Sequence, residues 1–205
     1  MGVTLLPTRL PKGLQDAIGR SVGRLGVTPN MISLAGALGN CGAAVLVARG
    51  ELLAAGLVYL LFSALDLVDG AVARATGKAT PFGAVFDAVL DRASEGLVLA
   101  ACAWYFAERG EEWQTASSFA ALLGSVSVSY LRARAEVEGV QMREGLFRRQ
   151  ERVAVLGIGL LVGWLGAAIL VLAVLSNLTA LQRAWMLTRA LQGGDPEGAA
   201  SRSSG

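Results

Sequence analysis

Six apolar stretches, near 31–48, 53–73, 83–107, 114–136, 150–168 and 169–190, constrain this chain more than any other feature. Each approaches the length of about 20 residues that an α-helix needs to cross a bilayer's hydrocarbon core. Lipid offers no hydrogen bonds, so backbone groups must be satisfied within each segment. The fold class that follows is all-α, a polytopic membrane protein with six transmembrane helices. A chain of 205 residues, 54% hydrophobic and 17% charged, is one domain long and too apolar for an average soluble fold. That domain runs over 1–192, with the boundary between spans five and six near Trp164–Gly166. Residues 193–205 are small and polar and are expected to form a disordered tail.

The N-terminal segment 10–24 places Leu10, Leu14, Ile18 and Val22 at helical spacing with basic residues between them. This pattern predicts an amphipathic helix lying on the membrane surface. It lacks the continuous apolar core of a secretory signal, so the N-terminus is expected to be retained. Thr28-Pro29-Asn30 then breaks this segment before the first span.

Charge orients the layout. Sixteen of the 18 Lys and Arg residues fall on one side of the six spans, and only Arg49 and Arg109 fall on the other. By the positive-inside rule both termini and the loops after spans two and four are cytoplasmic, in a cell membrane. A net charge of +2 with no long basic run gives no reason to expect a nucleic acid partner. The absence of histidine leaves carboxylates as the available acid–base groups near neutral pH. Cys41 and Cys102 sit in apolar runs without ligand spacing and read as small buried hydrophobes.

Against this background four carboxylates are out of place. Asp66 and Asp69 lie three apart near the end of span two, and Asp87 and Asp91 four apart near the start of span three. Both spacings bring two side chains onto one helix face, and Glu95 extends the second by a turn. A carboxylate inside a span costs on the order of 3 kcal/mol, so four at one depth call for pairing, hydration or metal. Arg74 and Arg92 are too few to neutralise five acids. Convergent oxygen ligands suit hard divalent cations, Mg2+ or Mn2+, and the lack of thiolate or imidazole ligands argues against zinc. Two such ions could polarise a diphosphate and activate a hydroxyl. Gly70, Ala73 and Gly83 offer small surfaces where a nucleotide could approach the backbone, and Arg74 could fork onto a phosphate. A divalent-cation transporter would also place acids within spans, but transport predicts polar residues through the membrane's depth, and spans one, five and six are nearly bare of charge.

Written out, residues 66–91 read DLVDGAVARATGKATPFGAVFDAVLD. The pattern D-x-x-D-G-x-x-A-R, eight residues, G, three residues, D, three residues, D resembles the signature of the CDP-alcohol phosphotransferase family, also called phosphatidyltransferases. The resemblance implies a six-span fold with a cytoplasmic active site, CDP-diacylglycerol as lipid donor, two divalent cations, and often a homodimer. It implies that Asp66, Asp69 and Asp87 bind the metals, while Asp91 joins them and acts as the base that deprotonates the acceptor hydroxyl. By the same resemblance Gly70, Arg74, Thr80 and Gly83, with the turn at Asn30 and Ser33, hold the CDP moiety.

The loop after span four, SYLRARAEVEGVQMREGLFRRQERV at 129–153, carries six arginines on the same side. It resembles the loop of phosphatidylinositol phosphate synthases within that family, and of their archaeal relatives. In those enzymes the acceptor is inositol phosphate and the product is phosphatidylinositol phosphate. A dianionic acceptor beside carboxylates needs such cations, so Ser129, Arg132, Arg149 and Arg152 are assigned to the acceptor phosphate. Arg134, Glu136 and Glu151 are left to brace the loop through ion pairs. Gln150 stands where these synthases often have proline, which bears on helix entry rather than on the arginines. Glycerol 3-phosphate, the acceptor of phosphatidylglycerophosphate synthase, is the rival substrate.

Overall fold

A computed structural model of the chain describes residues 28–65, 68, 70, 72–73, 80–140 and 147–192. Among them, α1 spans Pro29–Ala48, α2 Leu52–Ser63, α3 Pro81–Ala107, α4 Glu112–Val137, α5 Arg149–Leu161 and α6 Leu165–Gln192. Ala64 lies in a turn, and Leu65, Val68, Gly70, Val72 and Ala73 beyond it are helical. The regular structure of the described residues is all helical, as the apolar spans predict. The surface helix expected at 10–24 and the tail at 193–205 lie outside the described residues.

Two helices begin by the same local chemistry. Thr28 and Thr80 are both extended N-cap residues followed by proline. The Thr28 hydroxyl accepts from the Met31 N–H at 3.4 Å, and that of Thr80 from the Gly83 N–H at 3.0 Å. Each hydroxyl offers an acceptor to an amide of the first turn, and proline at the first position has no N–H to satisfy. The break expected at Thr28-Pro29-Asn30 is therefore the start of α1.

The helices pack as a closed ring in the order α1, α3, α4, α6, α5, α2 and back to α1. Tight turns at Arg49–Glu51, 108–111 and 162–164 make hairpins of α1 with α2, α3 with α4, and α5 with α6. The starts of α1, α3 and α5 consequently share one half of the bundle. The other half holds the apolar centre, where Val98, Leu99 and Cys102 of α3 meet Leu156 and Leu160 of α5 and Ile169 and Leu172 of α6. Cys102 is fully buried as expected, and Cys41 is half-buried.

Polarity is distributed as in a protein dissolved in lipid. Leu38, Leu61, Leu97, Leu123 and Leu181 are exposed on the outside, while Asn40, Ser63, Ser118, Ser125, Ser176 and Thr179 are buried inside. Helix association in a bilayer favours this arrangement, with small and hydroxylated residues at the contacts and large apolar ones towards the lipid. Two of the inward hydroxyls are satisfied within their own helices, Ser118 donating to the Gln114 carbonyl at 2.9 Å and Thr179 to that of Leu175 at 2.7 Å, and Ser63 donates across to Asn40 Oδ1 at 3.4 Å. α1 and α6 are long and apolar enough to cross a membrane. In α3 the charges of Asp87, Asp91, Arg92 and Glu95 lower the apolar character of the first half.

Span two, expected at 53–73, is interrupted at Ala64 after α2 closes at Ser63. Spans five and six divide beside the expected boundary at Trp164–Gly166, with α5 closing at Leu161 and α6 opening at Leu165. Gly163 adopts φ +73°, which lets the Trp164 N–H turn back onto the Gly159 carbonyl at 2.8 Å. This left-handed cap ends a helix without the penalty that a Cβ would bring. With 13 residues, α5 is about 20 Å long, short of the roughly 30 Å hydrocarbon core. It begins at the level of Asp91, well inside the bundle.

Candidate active site

The first three turns of α3 form one wall of the site. At their start, a Cβ on Gly83 would lie 3.1 Å from both the Asn30 Oδ1 and the Thr80 Oγ1. Three residues assigned from sequence to the nucleotide thus meet where α1 and α3 begin side by side. Ser33 lies a turn further along α1, buried, its hydroxyl donating to the Pro29 carbonyl at 3.3 Å. Gly70 and Ala73 are helical and half-buried. Asp66, Asp69 and Arg74 lie outside the described residues.

One turn beyond Gly83 comes Asp87, and one turn beyond that Asp91. The Asp87 Oδ1 is shielded from solvent and has no hydrogen-bond partner among the described residues. A buried carboxylate oxygen left in that state is costly; a cation relieves the cost. Among the described residues no three acidic or sulfur ligands converge, so a metal set needs residues beyond Asp87 and Asp91. The donor chemistry that is described, carboxylate oxygen alone, fits a hard divalent cation.

The opposite wall comes from α5. Arg149 Nη2 lies 2.8 Å from Asp91 Oδ1, with the two side chains 27% and 19% exposed. One turn deeper, Arg152 Nε and Nη2 donate to Glu95 Oε1 and Oε2 at 2.7 and 3.0 Å, and this pair is closed off at 3% and 9% exposure. The acidic face of α3 is therefore met by arginines, but by Arg149 and Arg152 rather than by the nearer Arg92. Arg92 is exposed and turns its guanidinium back onto the Ala88 carbonyl of its own helix.

The remaining residues assigned to an acceptor phosphate stand on α4. Ser129 is half-buried. Arg132 pairs with Glu136 at 3.1 Å on an exposed face, both side chains 61% exposed. Arg134 pairs with Glu138 at 2.7 Å. The Glu151 carboxylate caps α5 by accepting from the Arg148 N–H at 2.7 Å, so its bracing role is a helix cap rather than an ion pair.

Sequence reading counted Arg183 only for topology, and the structure gives it more weight. It is buried on α6, with Nη1 donating to the Val128 carbonyl at 2.9 Å. Its Nε has no partner among the described residues, and Arg132, Arg148 and Arg152 are near enough to act on its charge. The signal was present, since an arginine inside an apolar span faces the bundle interior. A concentration of guanidinium groups with donors left over from their ion pairs favours an anion.

Known proteins share the sequence pattern and the fold. The model of the family described as CDP-alcohol phosphatidyltransferase matches residues 26–188. The phosphatidylinositol phosphate synthase of Mycobacteroides abscessus is 37% identical over 169 residues, covering 78% of this chain and 77% of that one. The crystal structure of the Mycobacterium tuberculosis phosphatidylinositol phosphate synthase with CDP-DAG bound is similar with a TM-score of 0.78 at 31% identity, over 85% of this chain and 94% of that one. The same synthase in complex with manganese and citrate matches with a TM-score of 0.76 at 32% identity, over 84% and 88% of the two chains.

Proposed function

This chain belongs to the CDP-alcohol phosphatidyltransferase family, and on that premise we propose that it moves the phosphatidyl group of CDP-diacylglycerol onto a hydroxyl of inositol phosphate. CMP and phosphatidylinositol phosphate are the products. The observation that carries this reading is the 2.8 Å contact between Arg149 and Asp91. It puts a phosphate-binding cation next to the carboxylate best suited to take a proton from the acceptor. An acceptor bearing both phosphate and hydroxyl uses both groups at once, whereas free inositol uses only one. The resemblance to named inositol phosphate synthases supports the same acceptor.

In this reading Asp91 accepts the proton of the attacking hydroxyl, whose oxygen forms a new bond to the lipid-side phosphorus. The bond from that phosphorus to the CMP oxygen breaks, and CMP leaves with the electron pair. Asp66, Asp69, Asp87 and Asp91 would hold two divalent cations, Mg2+ or Mn2+, and the manganese complex of the mycobacterial synthase favours such ions. When bound they supply positive charge that polarises the diphosphate and eases loss of the hydroxyl proton. Asn30, Ser33, Gly70, Ala73, Arg74, Thr80 and Gly83 form the donor side. The adjoining N-termini of α1 and α3 point positive dipole ends towards the diphosphate.

Ser129, Arg132 and Arg149 serve the acceptor phosphate, and the buried Arg183 adds charge behind them. Arg132 reaches the phosphate by exchanging Glu136 for it, a small cost for an exposed pair worth about 0.2–1 kcal/mol. Arg152 has already committed one edge to Glu95. The enzyme sits in the cell membrane as six spans behind a surface helix, with the site and both termini cytoplasmic, and forms a homodimer.

Release of CMP from CDP-diacylglycerol and Mg2+ should be fastest with inositol phosphate and much slower with glycerol 3-phosphate or free inositol. Equal rates with glycerol 3-phosphate would remove the acceptor assignment and leave a phosphatidylglycerophosphate synthase.

A further inference from the structure

We infer that Arg152 is a positioning residue, acting through Glu95: their buried pair locks the first turn of α5 onto α3 and so sets Arg149 against Asp91. This inference rests on the transfer reaction proposed above.

The two helices carry matched faces. Asp91 and Glu95 are four apart on α3, and Arg149 and Arg152 three apart on α5, so each set projects from one side of its helix. Facing each other they make two rungs of different character. The outer rung, where Arg149 Nη2 meets Asp91 Oδ1, is partly open to solvent and therefore to a ligand. The inner rung is closed and side-on, both carboxylate oxygens taken by the Nε and Nη2 edge. A planar fork fixes direction as well as distance, which a lysine ammonium cannot do.

More than two helices converge on the inner rung. Ser125 of α4 lies against the Glu95 carboxylate, and Tyr59 of α2 is buried within reach of its charge. Glu95 thereby ties α3 directly to α5, with α2 and α4 close beside the pair. Glu151 caps the same first turn from within α5 and keeps the Arg148–Arg152 segment in helical geometry, so the Arg152–Glu95 pair sets the rotation of the whole turn about its axis. Arg149 lies between those two positions. Its guanidinium therefore inherits a fixed place beside Asp91 without being buried itself.

A double-mutant cycle separates this role from direct contact with the acceptor. Removing one member of a buried pair strands the other's charge, whereas removing both for apolar groups is often nearly neutral. Glu95→Leu and Arg152→Met should each lower kcat for CMP release by about tenfold or more and raise the KM for inositol phosphate through the displaced Arg149, with the KM for CDP-diacylglycerol moving less than about threefold. The double variant should restore most of the turnover. Rates are referred to the folded fraction, followed by thermal unfolding in detergent. Arg152→Lys, which keeps the charge and replaces the single truncations as the test if they fail to fold, should still lose about tenfold in kcat, because a point charge cannot hold both oxygens.

A double variant as slow as Arg152→Met, with a raised KM for inositol phosphate, would overturn the inference and make Arg152 an acceptor ligand. Loss of thermal stability with unchanged kcat per folded enzyme would overturn it too, reducing the pair to scaffolding. So would full activity in Arg152→Lys. Wild-type enzyme that releases no CMP with any phosphorylated acceptor would instead remove the transfer reaction itself, and the positioning role with it.

Discussion

Arg149 reaches from the first turn of α5 to within 2.8 Å of Asp91 on the third turn of α3. A cation so close stabilises the ionised carboxylate and holds it in one orientation. It also marks where an acceptor's phosphate would sit relative to the base, because a guanidinium has donors on more than one edge. The contact therefore joins two requirements of the transfer, proton removal and acceptor binding, in one pair of side chains.

Asp91→Asn should abolish CMP release, by about 10²–10⁴-fold, the range expected for loss of a general base. Binding of CDP-diacylglycerol should survive, since the groups gathered around Gly83, Asn30 and Thr80 are untouched. Equilibrium binding of the donor beside steady-state rates would check this; substantial turnover in the variant would refute the base role.

Arg149→Ala should raise the KM for inositol phosphate by tenfold or more, about 1.4 kcal/mol of binding per factor of ten. The KM for the lipid donor should change little. If only the donor constant moves, Arg149 belongs to the diphosphate and not to the acceptor.

Chelation with EDTA should stop turnover, and Mg2+ or Mn2+ should restore it. Because the buried Oδ1 of Asp87 lacks a partner among the described residues, Asp87→Asn should increase the metal concentration needed for half-maximal rate. Titration of enzyme with Mn2+ followed by electron paramagnetic resonance reads that affinity without turnover. Unchanged affinity would take Asp87 out of the metal set.

Gly83→Ala tests the donor side. The added methyl would crowd Asn30 Oδ1 and Thr80 Oγ1, each 3.1 Å away, and would occupy space left for the nucleotide. The KM for CDP-diacylglycerol should rise several-fold while the inositol phosphate KM holds. An unaltered donor KM would make this glycine a helix-packing residue only.

Gly124→Ala should destabilise without touching the site. Its Cβ would fall 2.8 Å from the Ser176 Cβ and 2.9 Å from the Asn177 backbone nitrogen, so α4 and α6 must part. Overpacking of this kind costs about 1–3 kcal/mol, visible as a lower melting temperature in detergent. The Asn177 amide, which donates to the Ala120 carbonyl at 2.8 Å, is the interhelical bond most exposed to that shift.

Much of this protein was legible in its residues. Apolar runs of spanning length dictate helices because lipid leaves the backbone no other partner. The Thr-Pro pairs at 28–29 and 80–81 mark two helix starts because a hydroxyl cap and a proline act over one turn. The spacing of Asp87 and Asp91 puts both on one face of α3 for the same local reason. What only tertiary structure decided is who faces whom. Arg74 and Arg92, near in the chain, are too few for the acids, and Asp91 and Glu95 are met by Arg149 and Arg152, more than fifty residues away, which the sequence pattern assigns to an acceptor phosphate. Arg183 looked like a topological charge and proved to be buried beside α4. Local periodicity fixes the direction in which a side chain leaves its helix. The ring order of the helices and the early stop of α5 at Gly163 decide what it finds there.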